Sequence, residues 1–259
     1  MKKMMEDFER RFAEMMSGTV VPMNEIMRYV GESRGKRLRP RLVFLCSGLL
    51  GEVNETAWDT ALFVEMVHTA TLIHDDVVDR SDVRRGRASV NARWDNVSAV
   101  LAGDYLLAKA MTLLSDPEHH MILKEMLNTT MAMSEGELLQ NGERRTENGE
   151  REAYLEIVTR KTALLFRSCC VGGAMSVGAS PEAINMIGAY GLNLGLVFQM
   201  RDDLLDDDNP EVTALAKRLL PDYLDKALKS LEALTPFATN PSVLDELKTL
   251  ALFAAQREA

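Results

Sequence analysis

A chain of 259 residues provides for one domain or two small ones, with a sizeable buried core. Its 46% hydrophobic and 27% charged residues are ordinary for a soluble globular protein. A net charge of −9 argues against a general nucleic-acid binder but does not exclude a local basic site.

The first residues, Met-Lys-Lys-Met-Met-Glu-Asp-Phe-Glu-Arg-Arg-Phe, are too charged for a signal peptide. No uninterrupted apolar run approaches the ~20 residues that span a bilayer. Gly35 to Arg41 then crowds Lys36, Arg37, Arg39 and Arg41 ahead of an apolar stretch. By itself this is a basic helix start, yet cations sit poorly against a helix N-terminus and a bound anion would settle them.

Ala61 to Ile73 forms an apolar helical pattern that runs into His74, Asp75, Asp76 and Asp79, and then into Arg84, Arg85 and Arg87. On a helix, i and i+4 share a face, so Asp75 and Asp79 point together with Asp76 beside them. Like charges so placed repel by a few tenths of a kcal/mol, which a divalent cation would offset. His68, about two turns before Asp75, is by itself more often a packed histidine than a ligand.

Pro40, Pro117, Pro181 and Pro241 read as first-turn prolines, the last three preceded by Asp116, Ser180 and Asn240 as caps. The polar stretch Gln140 to Gly149 is the clearest break. Beyond it, Leu155, Val158, Thr162, Leu165 and Cys169 recur at helical spacing, and Lys161 among them reads equally as a lysine snorkelling from an apolar face. Residues 195–208 repeat the acidic pattern, with Asp202, Asp203 and Asp206 behind another apolar helix. One such cluster is as readily a solvated helix end. Two, facing each other, predict a site for several Mg²⁺ ions, with the arginines as forked donors to phosphate oxygens. Cys46, Cys169 and Cys170 lack metal-ligand spacing and predict buried reduced thiols in a cytoplasmic protein. With no alternating strands, no hairpin signal and no long linker, the expected fold is all-α. It is a single domain over residues 1–259, a bundle of roughly ten helices around a central apolar cavity.

The motifs Gly35-Lys36-Arg37-Leu38-Arg39-Pro40, Arg84-Arg85-Gly86, Gly103-Asp104-Tyr105-Leu106-Leu107, Lys161-Thr162 and Phe198-Gln199, with the two Asp-Asp-x-x-Asp clusters, resemble those of the trans-isoprenyl diphosphate synthases (polyprenyl synthetases). The resemblance covers nearly the whole chain. It implies the isoprenoid synthase fold, a homodimer and, through a lipid product, brief membrane contact at most; the net charge already argues against a nucleic-acid partner. It also implies Mg²⁺ on Asp75, Asp76, Asp79, Asp202, Asp203 and Asp206. Lys36, Arg39, His68 and Arg85 would bind isopentenyl diphosphate; Arg84, Lys161, Thr162 and Gln199 would contact the diphosphate of the allylic prenyl partner. The catalytic set so implied is Asp75, Asp76, Asp79, Arg84, Lys161, Asp202 and Asp203. Synthases of this family with short products tend to carry bulky aromatics four and five positions before the first aspartate. Thr71 and Ala70 stand there, and imply a product longer than geranylgeranyl diphosphate.

One departure stands out. After Asp206 the family usually continues through a Gly-Lys-Pro loop and a further lysine-bearing segment, whereas Asn209-Pro210-Glu211-Val212 passes straight into a later helix. A lysine that helps close the site is therefore missing from the segment after Asp208. That omission favours a non-catalytic partner subunit as the alternative; two intact aspartate clusters argue against it. A metal phosphohydrolase would require His74 as a ligand. A terpene cyclase would share the helical fold and the first cluster, but has no reason to keep the second cluster or the Arg84-Arg85 pair.

Overall fold

The structure, a computed structural model, describes residues 1–33, 35–142, 149–207 and 209–257. Its elements are α1 (Lys2–Met15), α2 (Val21–Gly31), α3 (Leu38–Leu50), α4 (Glu55–Val78), the short strands β1 (Val83–Arg84) and β2 (Arg87–Ala88), α5 (Val90–Arg93) and α6 (Asn96–Leu113). There follow α7 (His120–Asn141), α8 (Gly149–Val158), a π turn at Thr159–Ala163, α9 (Leu164–Ser176), α10 (Pro181–Asp206), α11 (Pro210–Ala233) and α12 (Ser242–Gln256). The protein is all-α, as the apolar periodicity predicts. Its described residues form twelve α-helices, one of them, α5, a single turn, in agreement with the roughly ten expected.

Packing divides the chain into two compact units. The first comprises Met1–Arg41 and Trp58–His120. In α1, Phe8, Phe12 and Met16 recur at i, i+4 and are fully withdrawn from solvent, with the two rings stacked 5.8 Å apart. From α4 come Ala61, Phe63, Val64, Met66, Val67, Ala70 and Ile73, and from α6 Ala99, Ala102, Leu106 and Ala110. The other face of α6 leaves Val97, Val100, Leu101 and Met111 exposed.

The hairpin is a correction to the sequence reading. Val83 pairs with Ala88 and Arg84 with Arg87. Between them Arg85 and Gly86 both take positive φ, 52° and 74°. That is the two-residue turn whose twist suits a hairpin, usually built from Asn-Gly. Arginine at the first position, where a Cβ is poorly tolerated, hid the signal.

In the second unit, Leu42–Ala57 and the chain from Met121, α10 packs against α9, α11 and α12. Gly191 and Gly195 lie one turn apart on the face toward α9 and the π turn. A Cβ at Gly191 would fall 2.9 Å from Cα of Arg167, and one at Gly195 would fall 2.6 Å from Cα of Ala163. Bare glycine is what lets these backbones touch. Ser180 caps α10 through Ala183 N with Pro181 first in the helix, and Asn209 caps α11 with Pro210 first. Pro241 is displaced from its expected place: it precedes the first residue of α12, so Asn240 is not the cap there. Within the expected loop Gln140 to Gly149, residues 143–148 lie outside the described residues.

The three cysteines are free and buried. By length and composition, α10 does reach a bilayer-spanning length, although no uninterrupted apolar run announces it; 56% of its most apolar window is buried against the protein.

Gly195→Ala should lower stability by about 1–3 kcal/mol, because the added methyl meets backbone that cannot rotate away. Thermal unfolding should show this as a loss of about 2–4 °C for each kcal/mol. An unchanged melting temperature would contradict the close approach.

Candidate active site

The first unit concentrates positive charge around His68. Burial pushes the His68 imidazole well below its ordinary pKa of 6.5, and Arg39, Arg85, Arg37 and Arg84 push it further down. Arg85 sits at the hairpin turn, and a Cβ at Gly35 would fall 2.8 Å from its guanidinium. The Gly35–Lys36 loop and the hairpin are therefore neighbours. Lys36 itself is exposed and Arg39 half-buried.

Arg37 has a different task. It is buried at positive φ (47°), donates to Glu65 Oε1 at 2.6 Å and to both carboxylate oxygens of Glu9 at 2.9 and 3.2 Å, and covers the Phe12 ring at 4.5 Å. Glu65 is buried with it. Arg37 fixes the basic loop to α4 and α1, and its charge is already matched.

Asp75 and Asp76 lie in the last turn of α4, and Asp79 just past its end continues the hydrogen bonding with N–H to Asp75 O at 2.8 Å. Asp76 is buried, and Arg84 donates to its Oδ1 through Nε at 2.8 Å and Nη2 at 2.5 Å. Asp79 is exposed. A narrow cleft of about 60 Å³ takes Arg37, Asp76, Arg84, Arg85 and Arg87 into its walls. His74 is a packed neighbour, with Nε2 3.2 Å from Val100 O and 3.5 Å from Asp104 Oδ1.

The second unit holds a cavity of about 1250 Å³ whose lining brings together Lys161, Thr162, Gln199, Asp203 and Asp206. Lys161 and Thr162 lie in the π turn rather than in the regular helix expected. One extra residue per turn re-aims side chains, and such turns concentrate at functional sites. Gly136 of α7 backs the turn, for a Cβ there would fall 2.8 Å from Lys161 N. Lys161 Nζ pairs with Glu137 at 2.6 Å. Thr162 donates to Gln199 Oε1 at 2.8 Å, Gln199 Nε2 to Asp203 Oδ1 at 2.9 Å, and Tyr154 Oη to Asp203 Oδ2 at 2.5 Å. Burial and the bond to Asp203 raise the Tyr154 phenol pKa, so it remains a donor.

Asp202 stands apart from that lining and accepts from Arg257, whose guanidinium also covers the Phe198 ring at 4.0 Å. Burial raises the Asp202 pKa, and Arg257 opposes the rise. Tyr154, Glu137 and Arg257 escaped the sequence reading. Only Tyr154 left a signal, lying two helical turns before Lys161.

Among the described residues, the three side chains whose ligand atoms already stand within 4.8 Å of one another are Asp116, Glu118 and His119, just ahead of α7, not the two aspartate clusters. In the clusters, Arg84 and Arg257 each hold one carboxylate through a single oxygen, Oδ1, and Tyr154 and Gln199 share a third. All-carboxylate donor sets on helix ends suit a hard, oxygen-seeking cation such as Mg²⁺.

The chain is thus helical with an Asp-Asp-x-x-Asp helix end in each unit, arginines beside the first and the polar lining of Lys161, Thr162 and Gln199 beside the second. The family profile described as Polyprenyl synthetase matches residues 21–238, and the chain belongs to that family. It is 39% identical over 194 residues to an all-trans-nonaprenyl-diphosphate synthase (geranyl-diphosphate specific) of Rhodobacter capsulatus, covering 74% of this chain and 59% of that one. With heptaprenyl diphosphate synthase component 2 of Bacillus subtilis it shares 32% identity over 249 residues, covering 93% and 69%. The solved polyprenyl synthase of Caulobacter crescentus CB15, complexed with calcium and isoprenyl diphosphate, superposes with a TM-score of 0.87 at 29% identity, covering 98% of this chain and 95% of that one. The chain spans about three fifths of the length of the first curated relatives it matches.

The His68 pKa gives a linkage whose sign is fixed. Above pH ~6.5 both folded and unfolded states are neutral at this position; as pH falls below it, the unfolded chain takes the proton first, so stability drops. Between pH 7.5 and 5.5 the wild type should lose about 1 kcal/mol more than His68→Gln, read from urea midpoints. Equal losses would mean that His68 charges freely in the fold.

Proposed function

We propose that the chain is a prenyltransferase that condenses isopentenyl diphosphate with an allylic prenyl diphosphate, giving a trans-polyprenyl diphosphate longer than geranylgeranyl. The observation that carries this reading is the second-unit cavity, which gathers Lys161, Thr162, Gln199, Asp203 and Asp206 from separate elements onto one lining. The family match runs through both units, which supports treating residues 1–259 as one functional domain.

In this reading Arg39, Arg85 and Lys36 bind the diphosphate of isopentenyl diphosphate, with neutral His68 as a hydrogen-bond partner. Lys161, Thr162 and Gln199 orient the allylic diphosphate, and Arg84 lends its guanidinium from beside Asp76. Magnesium, carried by Asp75, Asp76 and Asp79 and by Asp202, Asp203 and Asp206, would supply neutralising charge for the departing diphosphate. Tyr154 and Gln199 hold Asp203 in place for that task. The allylic C–O bond breaks with its electron pair leaving on pyrophosphate. The isopentenyl double bond attacks the resulting carbocation, and the proton then lost goes to pyrophosphate. Apolar walls such as Val158, Val212 and Leu215 keep water from the cation.

Product length rests on Ala70 and Thr71. Ala70 is fully buried, and the Thr71 hydroxyl is turned back onto His68 O at 2.9 Å, so neither side chain forms a bulky floor. The nonaprenyl product in the name of the Rhodobacter relative agrees with this. A homodimer is supported by the exposed stripe Val97, Val100, Leu101 and Met111 on α6. We also place the protein in the cytoplasm, in brief contact with membrane through its product and with no nucleic-acid partner. A second reading, a component of a two-chain synthase, is favoured by the words "component 2" in the name of the Bacillus relative.

Incubation with Mg²⁺, labelled isopentenyl diphosphate and farnesyl diphosphate should yield long labelled chains. Asp75→Ala and Asp203→Ala should each cut turnover by about 100-fold or more. No incorporation by the chain alone, restored on adding a partner chain, would favour the second reading; none under either condition would end the synthase assignment. Separately, Ala70→Phe should shorten the product by at least one isoprene unit, sized by chromatography. An unchanged product would remove Ala70 from the floor.

A further inference from the structure

Resting on that reading, we propose that Arg218 of α11 is a further diphosphate-binding residue, acting with Lys161 and Thr162 on the allylic substrate. α11 follows α10 after few residues, and the two helices pack on each other. Arg218 of α11 lines the same cavity as Gln199 of α10. Gln199 is the residue to which Thr162 donates.

The helical spacing of Glu211, Leu215 and Arg218 puts all three on one stripe, and all three line the same cavity as Lys161 and Gln199. Leu215 packs on the core cluster that contains Tyr154 and Val158, and Ala216 and Leu219 are buried in that cluster. Arg218 is thus carried on an anchored helix, not on a loop.

Charge supplies the second argument. Lys161 is already paired with Glu137, whereas among the described residues Arg218 forms no ion pair. A guanidinium exposed to a cavity that also presents a π-turn lysine and a threonine hydroxyl matches a diphosphate, which accepts forked donors from more than one side. The direct passage from Asp206 into α11 therefore replaces one wall with another, and brings its own cation.

The test is binding of farnesyl diphosphate, and of inorganic pyrophosphate, to the full chain with Mg²⁺ by calorimetry. Arg218→Gln should weaken both by about tenfold, since a charge-assisted hydrogen bond is lost. Arg218→Lys should recover part of the loss, and both variants should melt with the wild type. Wild-type affinity in Arg218→Gln, while the wild type binds and elongates, overturns this inference alone. If the wild type binds neither ligand, the synthase reading falls and this inference with it. Weakened pyrophosphate binding with unchanged farnesyl diphosphate binding would overturn the assignment to the allylic site.

Discussion

The buried contact of Arg37 with Glu65 and Glu9 is the interaction on which the cationic site depends. Arg39, Arg84 and Arg85 repel one another and a protonated His68; Asp76 holds Arg84 at the end of α4, but the basic loop ahead of Arg39 must be tied there as well. Arg37 does so by spending its own charge on two carboxylates, one of them fully buried on α4. Removing one partner of such a pair strands a charge in the interior, at about 3–5 kcal/mol. The positive φ of Arg37, like that of Arg85 at the hairpin turn, marks backbone held where its surroundings demand rather than where the chain prefers. Strain and buried charge sit together here, at the place where an anion would have most to gain.

The second unit solves a different problem. A π turn needs a neighbour that tolerates its bulge, and two glycines on separate helices, Gly136 and Gly195, give way at that point. α10 can then bring Gln199 within reach of Thr162 and hold Asp203 between Gln199 and Tyr154. Packing without side chains on one face of α10 thus permits a hydrogen-bonded chain on the next. Adding bulk at Gly195 would move the site even though the residue touches none of it.

Much of this was legible beforehand, for reasons that differ by element. Helices announce themselves through the apolar run Ala61 to Ile73 and the spacing of Leu155, Val158, Thr162, Leu165 and Cys169, because burial on one face requires such spacing. The aspartate clusters were legible because the same spacing occurs twice, each time behind an apolar helix, where one copy alone would pass for a solvated helix end. The hairpin was hidden because Arg85 occupies a conformation that its chemistry disfavours. The π turn was hidden because Leu155, Val158, Thr162 and Leu165 satisfy the ordinary helical period well enough to mask one inserted residue. Partners distant in sequence, Glu137 for Lys161 and Arg257 for Asp202, are set by packing, and no local pattern encodes them.

These distant partners share a consequence. Asp76, Asp202 and Lys161 each carry a counter-charge within the protein, from Arg84, Arg257 and Glu137. Their charges are therefore matched within each unit by the protein itself. In the proposed reading, binding a diphosphate with its cations would be an exchange of partners rather than a simple gain. A lone anion that drew Arg84 from Asp76 would leave that carboxylate unmatched, and one that drew Lys161 from Glu137 would do the same in the second unit. Within each unit, then, anion and cation would bind more readily together than apart, because each takes up the partner that the other displaces.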